Sequence, residues 1–260
     1  LLIDGLAKIG DFMIQPIFNR YERKYILTKS QKDEILPFLE QHLDYDPYSQ
    51  GGKEYTIYNI YFENEDFSII RNSISKPKFK DKLRLRTYSY PMEHDSMVFL
   101  EIKKKYEGRV NKRRIIMTYD QAKDYLNKGI IPQFDTFIDN QVMKEIDYFM
   151  KIHKARPGTY IRYDRMALVA GQEELRVTFD HHIIFRSHHI SLEHREGTSI
   201  LPTEEYYLME IKSEDNFPFW LARKLSEMKL YSTSFSKYGK AFEQYLVGGQ
   251  TDDELILYDY

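Results

Sequence analysis

The sequence predicts an α+β fold in which an eight-stranded antiparallel β-barrel encloses a basic lumen, a tunnel, and amphipathic helices cover its outside. Three observations carry that prediction. Segments rich in Tyr, Ile, Val and Phe recur through the chain and are joined mostly by short connections, which favours antiparallel pairing. Along several of them Lys or Arg holds every second position, so a side-chain period of two gathers the charges on one face and the apolar residues on the other. Between and after these segments lie stretches with the 3.6-residue apolar period of a helix.

In chain order, the first strand is expected over residues 20–27 and the first helix over 31–43, with Ser30 as its N-cap. Strands follow over 54–62, 82–90, 97–106 and 110–117, then helices over 119–128, capped by Thr118, and over 136–153. The remaining strands are expected over 159–169, 174–185 and 205–213, and the last helices over 217–231 and 236–246. Turn signals fall at Gly51-Gly52, Arg156-Pro157-Gly158 and Gly171. No internal repeat or long linker interrupts the chain, so one domain is expected over residues 14–248. Residues 1–13 are expected as an N-terminal extension that need not be native, and the acidic residues 249–260 as a tail.

Composition bounds the function. Lys and Arg total 38 against 40 Asp and Glu, a net charge of -2, which excludes a generally basic nucleic-acid coat and makes any anion site a matter of local arrangement. The chain has no cysteine, which removes disulfides, thiolate catalysis and cysteine-based zinc sites together and makes the cytoplasm the expected compartment. No apolar run approaches the roughly 20 residues of a membrane-spanning helix, and residues 1–10 lack the layout of a signal peptide. There is no G-x-x-x-x-G-K-[ST] loop, so a nucleotide would bind without that device. The histidines at 181, 182, 188, 189 and 194 lack the spacing of a helical metal pair and are read as surface or turn residues. The amphipathic stretch with Trp220 is read as core packing.

The alternating segments decide where the charge goes. Lys82, Arg84 and Arg86 share one face with Leu83 and Leu85 opposite, and Glu101, Lys103 and Lys105 repeat the pattern. An ordinary half-buried sheet also alternates, but its solvated face mixes both signs. Here Lys24, Arg84, Arg86, Lys103, Lys105, Lys112, Arg114, Arg165, Arg176 and Lys212 outnumber Glu22, Glu101, Asp180 and Glu210. Closing the sheet turns these faces inward. Two like charges about 6 Å apart repel by roughly 3 kcal/mol at an effective dielectric near 20, so such a lumen calls for a polyanion, and a chain of phosphates is the natural complement. Double-stranded DNA is too wide for it.

Six landmarks appear in one order: Tyr21-Glu22-Arg23-Lys24-Tyr25, Leu83-Arg84-Leu85-Arg86, Leu100-Glu101-Ile102-Lys103, Tyr163-Asp164-Arg165-Met166-Ala167, Arg176-Val177-Thr178-Phe179-Asp180 and Leu208-Met209-Glu210-Ile211-Lys212, with Ser236-Lys237-Tyr238 as a seventh. In these the chain resembles the triphosphate tunnel metalloenzymes, and within them the polyphosphate polymerase domain of vacuolar transporter chaperone (VTC) proteins. The resemblance implies a metal-dependent ATP:polyphosphate phosphotransferase with ATP and inorganic polyphosphate as its partners, no nucleic acid, and a membrane protein as a partner in some relatives. It places Lys24, Arg84, Arg86, Lys103, Lys112, Arg165 and Arg176 at phosphate-binding positions, Glu210 as the ligand of Mn2+ or Mg2+, and Lys237 beside the transferring phosphoryl group. Arg84 and Arg86 are thereby catalytic candidates as well, and Lys105, Arg114 and Lys212 join the phosphate set. An inorganic triphosphatase, or a noncatalytic polyphosphate or inositol-phosphate binding module, would carry the same face.

Overall fold

The computed structural model describes residues 21–75, 77–107, 109–171, 174–201, 205–214 and 216–248; the expected extension at 1–13 and the tail at 249–260 lie outside the described residues. Strand β1 (Tyr21–Thr28) runs without a loop into helix α1 (Lys29–Leu39). Because the strand ends where the helix begins, the N-cap is Thr28 and not Ser30: the Thr28 hydroxyl accepts from the Gln31 backbone N–H at 3.2 Å, and Gln31 Oε1 accepts from the Thr28 N–H at 2.9 Å. Thr118 repeats this reciprocal cap with Gln121 at the start of α3 (Tyr119–Lys128), directly after β6 (Arg109–Thr118), as expected.

The other elements are β2 (Asp44–Tyr45), β3 (Tyr55–Glu63), α2 (Ser68–Ile74), β4 (Phe79–Thr87), β5 (Met97–Tyr106), α4 (Phe137–His153), β7 (Arg156–Ala170), β8 (Leu175–Arg186), β9 (Thr198–Ser199), β10 (Tyr206–Ser213), α5 (Phe219–Glu227) and α6 (Lys237–Gly248). The expected turn at Arg156-Pro157-Gly158 is instead the start of β7. The chain reverses just before it, at Lys154 in left-handed conformation (φ 48°). Gly158 serves another purpose there, since a Cβ on it would sit 2.7 Å from the Glu63 Cβ, so only glycine lets β7 pass β3 this closely.

All pairings are antiparallel. Eight strands form one continuous path, β1-β10-β8-β7-β3-β4-β5-β6, while the two-residue strands β2 and β9 pair with β7 and β8. The expected eight long strands are therefore present, but among the described residues the sheet has ten strands and is not closed by hydrogen bonds: β1 and β6 end the path without pairing to each other. Both ends are heavily charged, through Glu22, Arg23 and Lys24 on β1 and Lys112, Arg113 and Arg114 on β6, and charged edges resist strand addition. The sheet nevertheless curls. Lys103 on β5 interacts electrostatically with Glu22 on β1 and Lys212 on β10, although β8, β7, β3 and β4 lie between β5 and β10 in the path.

Three apolar clusters hold this shape. On the convex side, α1 and α5 pack Ile35, Leu39, Leu221 and Leu225 onto Leu27, Leu168, Val177 and Ile211. Trp220 belongs to this packing, stacked on His42 with ring centroids 4.1 Å apart. Helices α3 and α4 likewise cover Leu83, Leu85, Leu100 and Ile115. The third cluster lies on the concave side, where Tyr238, Ala241 and Phe242 of α6 meet Ile57, Ile161, Ile183 and Leu208. One end of the concave face is thus apolar and covered by α6, and charge occupies the other. Among the described residues no helix is long and apolar enough to cross a membrane.

Candidate functional site

Register places the predicted residues on a common face. Lys24 lies opposite Glu210, Arg176 opposite Lys212, and Arg165 opposite Asp180. Across the path, Arg84 lies between Tyr61 and Glu101, Arg86 opposite Asn59, and Lys82, Lys103 and Lys112 form a row over three adjacent strands. The alternation of β-strands therefore delivers them to one side.

On the β1, β10, β8 and β7 side, each cation meets a carboxylate. Arg165 grips Asp180 with two parallel hydrogen bonds, Nε to Oδ1 at 2.6 Å and Nη2 to Oδ2 at 2.8 Å. Lys237, in the first turn of α6, places Nζ 2.5 Å from Asp180 Oδ2 and 3.3 Å from Glu210 Oε1, above the Tyr163 ring. Lys24 lies 3.5 Å from Glu210 Oε1 and 3.2 Å from Glu22 Oε1, and Lys212 lies 3.5 Å from Glu210 Oε2. Lys24 also donates to the carbonyl of Phe235 at 2.9 Å, holding the segment that leads into Lys237. Burial opposes the charge on Glu210, but Lys237, Lys212, Lys24 and Arg165 override it and hold the carboxyl well below its usual range. Burial opposes the charge on Lys237 too, and there Asp180 and Glu210 win and raise it.

The β4, β5 and β6 side is short of acid. Glu101, only 3% exposed, receives Arg84 Nε at 2.5 Å and Lys112 Nζ at 2.6 Å. Burial works against its ionisation, yet Arg84, Arg86 and Lys112 keep it at about 2. Arg86 is buried and donates to Asn59 Oδ1 at 2.8 Å and to the Tyr163 hydroxyl at 3.2 Å. The lysines fare differently. Burial, with Lys80, Lys103 and Lys24 close by, pushes Lys82 down to about 8. Burial also pushes Lys112 down to about 8 despite Glu101, and depresses Lys103. Tyr61 shows the same field from the other side: burial would raise its phenol, but Arg84 and Arg86 draw it down to about 8.

The structure thus brings together Lys24, Arg84, Arg86, Lys103, Lys112, Arg165, Lys212, Glu210 and Lys237. Arg176 sits beside Lys212 in register but turns to Asp46, with Nη2 2.7 Å from Oδ2. Lys105 lies exposed toward the β5–β6 tip across from Lys80, and the exposed Arg114 stacks over Phe99 instead of reaching Glu101. The sequence expectation of unrelieved repulsion needs correction, because Glu22, Asp46, Glu101, Asp180 and Glu210 neutralise much of the face. Asn59, Tyr61, Tyr163 and Asp46 belong to the site and were not predicted to, while Lys82 lies on the face its alternation placed it on. Tyr163 had a signal, two residues from Arg165 and so on the same face.

Glu210 offers carboxylate oxygen of the kind hard divalent ions such as Mn2+ or Mg2+ take. Asp180 and Glu22 lie near enough to share the ammonium groups of Lys237 and Lys24 with it. Such ions commonly take one or two carboxylates and complete their shell with substrate phosphate oxygens. The donor set fits that arrangement.

The VTC domain family profile matches residues 19–246. Among solved structures, the chain superposes on the bh2851 protein of Bacillus halodurans, described there as a candidate adenylate cyclase, with a TM-score of 0.51 and 16% identity over 84% of this chain and 95% of that one. The PH1819 protein of Pyrococcus horikoshii OT3 gives a TM-score of 0.42 and 14% identity over 86% of this chain and 99% of its own. Comparison with curated proteins gave no match.

Proposed function

The chain belongs to the VTC domain family, and from that premise we propose that it is a polyphosphate polymerase, transferring the γ-phosphoryl group of ATP to the end of an inorganic polyphosphate chain lying along the basic concave face. The observation that carries this reading is the convergence of cations from β1, β4, β5, β6, β7 and β10, with Lys237 from α6, on a face that holds far fewer carboxylates.

Phosphoryl transfer asks a protein mainly for positioning and for stabilisation of charge on nonbridging oxygens. The terminal oxygen of the polymer attacks the γ-phosphorus, the bond to the β,γ-bridging oxygen breaks, and ADP leaves with that electron pair. No protein nucleophile is needed. Arg84 and Arg86, held by Glu101, Asn59 and Tyr163, offer fixed guanidinium faces to the oxyanions. Lys24, Lys212 and Lys237 rest on Glu210 and Asp180, and a phosphate chain competes with those carboxylates for the ammonium groups. Glu210 would be the carboxylate to hold Mn2+ or Mg2+. A divalent ion there supplies charge neutralisation across the phosphates.

Incubating the protein with ATP and Mn2+ and resolving the products by electrophoresis tests the proposal. Long phosphate polymer with stoichiometric ADP is expected. ADP with free phosphate alone would replace polymerase by triphosphatase, and tight polyphosphate binding without ATP turnover would replace it by a binding module.

A further inference from the structure

The convex face carries a second cluster of ligating side chains, which the phosphate chemistry does not use. In a regular strand, consecutive residues point to opposite faces. At His181 and His182 they do not: the β7–β8 register shifts between Arg162 and Asp164, His182 adopts a left-handed conformation (φ 47°), and the two rings lie 4.0 Å apart at right angles. This bulge brings both imidazoles to Asp164. One ligand atom from each of Asp164, His181 and His182 lies within 4.8 Å of the other two.

The surroundings are built to hold such atoms. Asp164 Oδ1 accepts from the Thr56 hydroxyl at 2.6 Å, which fixes the carboxylate and leaves Oδ2 facing His182 Nδ1 at 3.0 Å. His181 is packed edge-on against Tyr207, with Lys32 of α1 lying over the far ring at 5.6 Å. The His181 side chain is only 6% exposed, and neither ring nitrogen makes a hydrogen bond, although Glu54 Oε2 stands 3.1 Å from Nε2. Glu54 gives Nε2 an ionic partner, but a buried Nδ1 left without one is costly unless something else takes its lone pair.

We propose that Asp164, His181 and His182 form a binding site for a divalent transition-metal ion of the zinc class, with solvent completing its shell. Two imidazoles with one carboxylate suit Zn2+ or its borderline neighbours and not Mg2+, which favours an all-oxygen shell. The Thr56 hydroxyl has the place of the outer partner that orients a ligating carboxylate. An ion here ties β7 to β8 and to the entry of β3, directly behind the Arg165–Asp180 pair.

The test is a Co2+ titration of chelator-treated protein, followed by visible absorption. One Co2+ per chain with the intense bands of a four- or five-coordinate site is expected, displaced by Zn2+ and unaffected by excess Mg2+. Glu210→Ala should leave the spectrum unchanged and His182→Ala should abolish it, while Thr56→Val should weaken Co2+ binding about tenfold. Only the weak bands of the hexa-aqua ion with the unmodified protein, or an unchanged spectrum with His182→Ala, would overturn the proposal. Because the unmodified protein decides the first point, a misfolded variant does not rescue it, and Asp164→Asn repeats the second.

Discussion

The two sides of the concave face use the same residue type in opposite ways. On the β1–β10 side, Lys24 and Lys237 stand among Glu22, Asp180 and Glu210, and their protons are held more tightly than usual even though burial pulls the other way. On the β4–β6 side, Lys82, Lys103 and Lys112 stand among one another with Glu101 already shared, and their protons are held more loosely. The ratio of carboxylate to cation, and not burial alone, sets the direction. The first side is an assembled ion-pair network whose loss should be felt by the fold. The second has excess positive charge that a phosphate chain would relieve.

The strongest way to break this contrast is Glu210→Ala. Phosphoryl transfer should fall by about a hundredfold or more, as for loss of a principal electrostatic element. Stability should drop by about 3 kcal/mol because Lys24, Lys212 and Lys237 lose a buried partner. Urea denaturation should recover part of that loss when tripolyphosphate is added; no drop in stability would mean that the network is not structural. Next in size, Arg86→Ala should lower turnover about a hundredfold while costing only about 1–2 kcal/mol, as Asn59 Oδ1 and the Tyr163 hydroxyl lose a donor. Parallel kinetics and melts would show whether activity or folding suffers more.

Protonation sharpens the contrast further. Lys82 and Lys112 titrate at about 8 when folded, against the ordinary 10.5, so between those values the unfolded chain holds protons that the folded chain has released. The cost of keeping these desolvated, crowded ammonium groups charged is full below about pH 8, and the protein should gain stability as pH climbs toward about 10.5. Bound polyphosphate reverses the depression. Calorimetry of tripolyphosphate binding at about pH 8.5, in buffers of different ionisation enthalpy, should therefore register uptake of about one proton. Release of protons, or none, would place the excess charge elsewhere. The smallest effect belongs to Glu22→Gln, whose partly exposed pair with Lys24 should be worth under about 1 kcal/mol in denaturant melts.

Much of the charged face was legible because a strand declares its faces through a period of two: Lys82, Arg84 and Arg86 need only pleating to align. Helices α3 and α4 were legible through their apolar period, and α3 also through its Thr118 cap. What escaped the sequence depended on contacts distant in the chain or on breaks in periodicity. Helix α2, at seven residues, is too short to establish a period, and Asp46 meets Arg176 only because β2 pairs with β7. The two-residue strands carry no alternation at all. The sequence reads His181 and His182 as surface or turn residues, yet both lie within β8 and His181 is buried; the bulge turns both rings one way, and nothing local announces that Asp164 waits opposite. Nor does the sequence say that α6 covers one end of the concave face, since its apolar stripe would serve equally well on the convex side.

A net charge of -2 combined with a strongly cationic concavity leaves the rest of the molecule with a surplus of acid. Long-range repulsion from that exterior opposes wrapping of a polyanion around the protein, while the hollow attracts it. For the proposed polymerase, this segregation of charge between the concave face and the rest of the molecule would favour repeated cycles on a single chain over exchange among many.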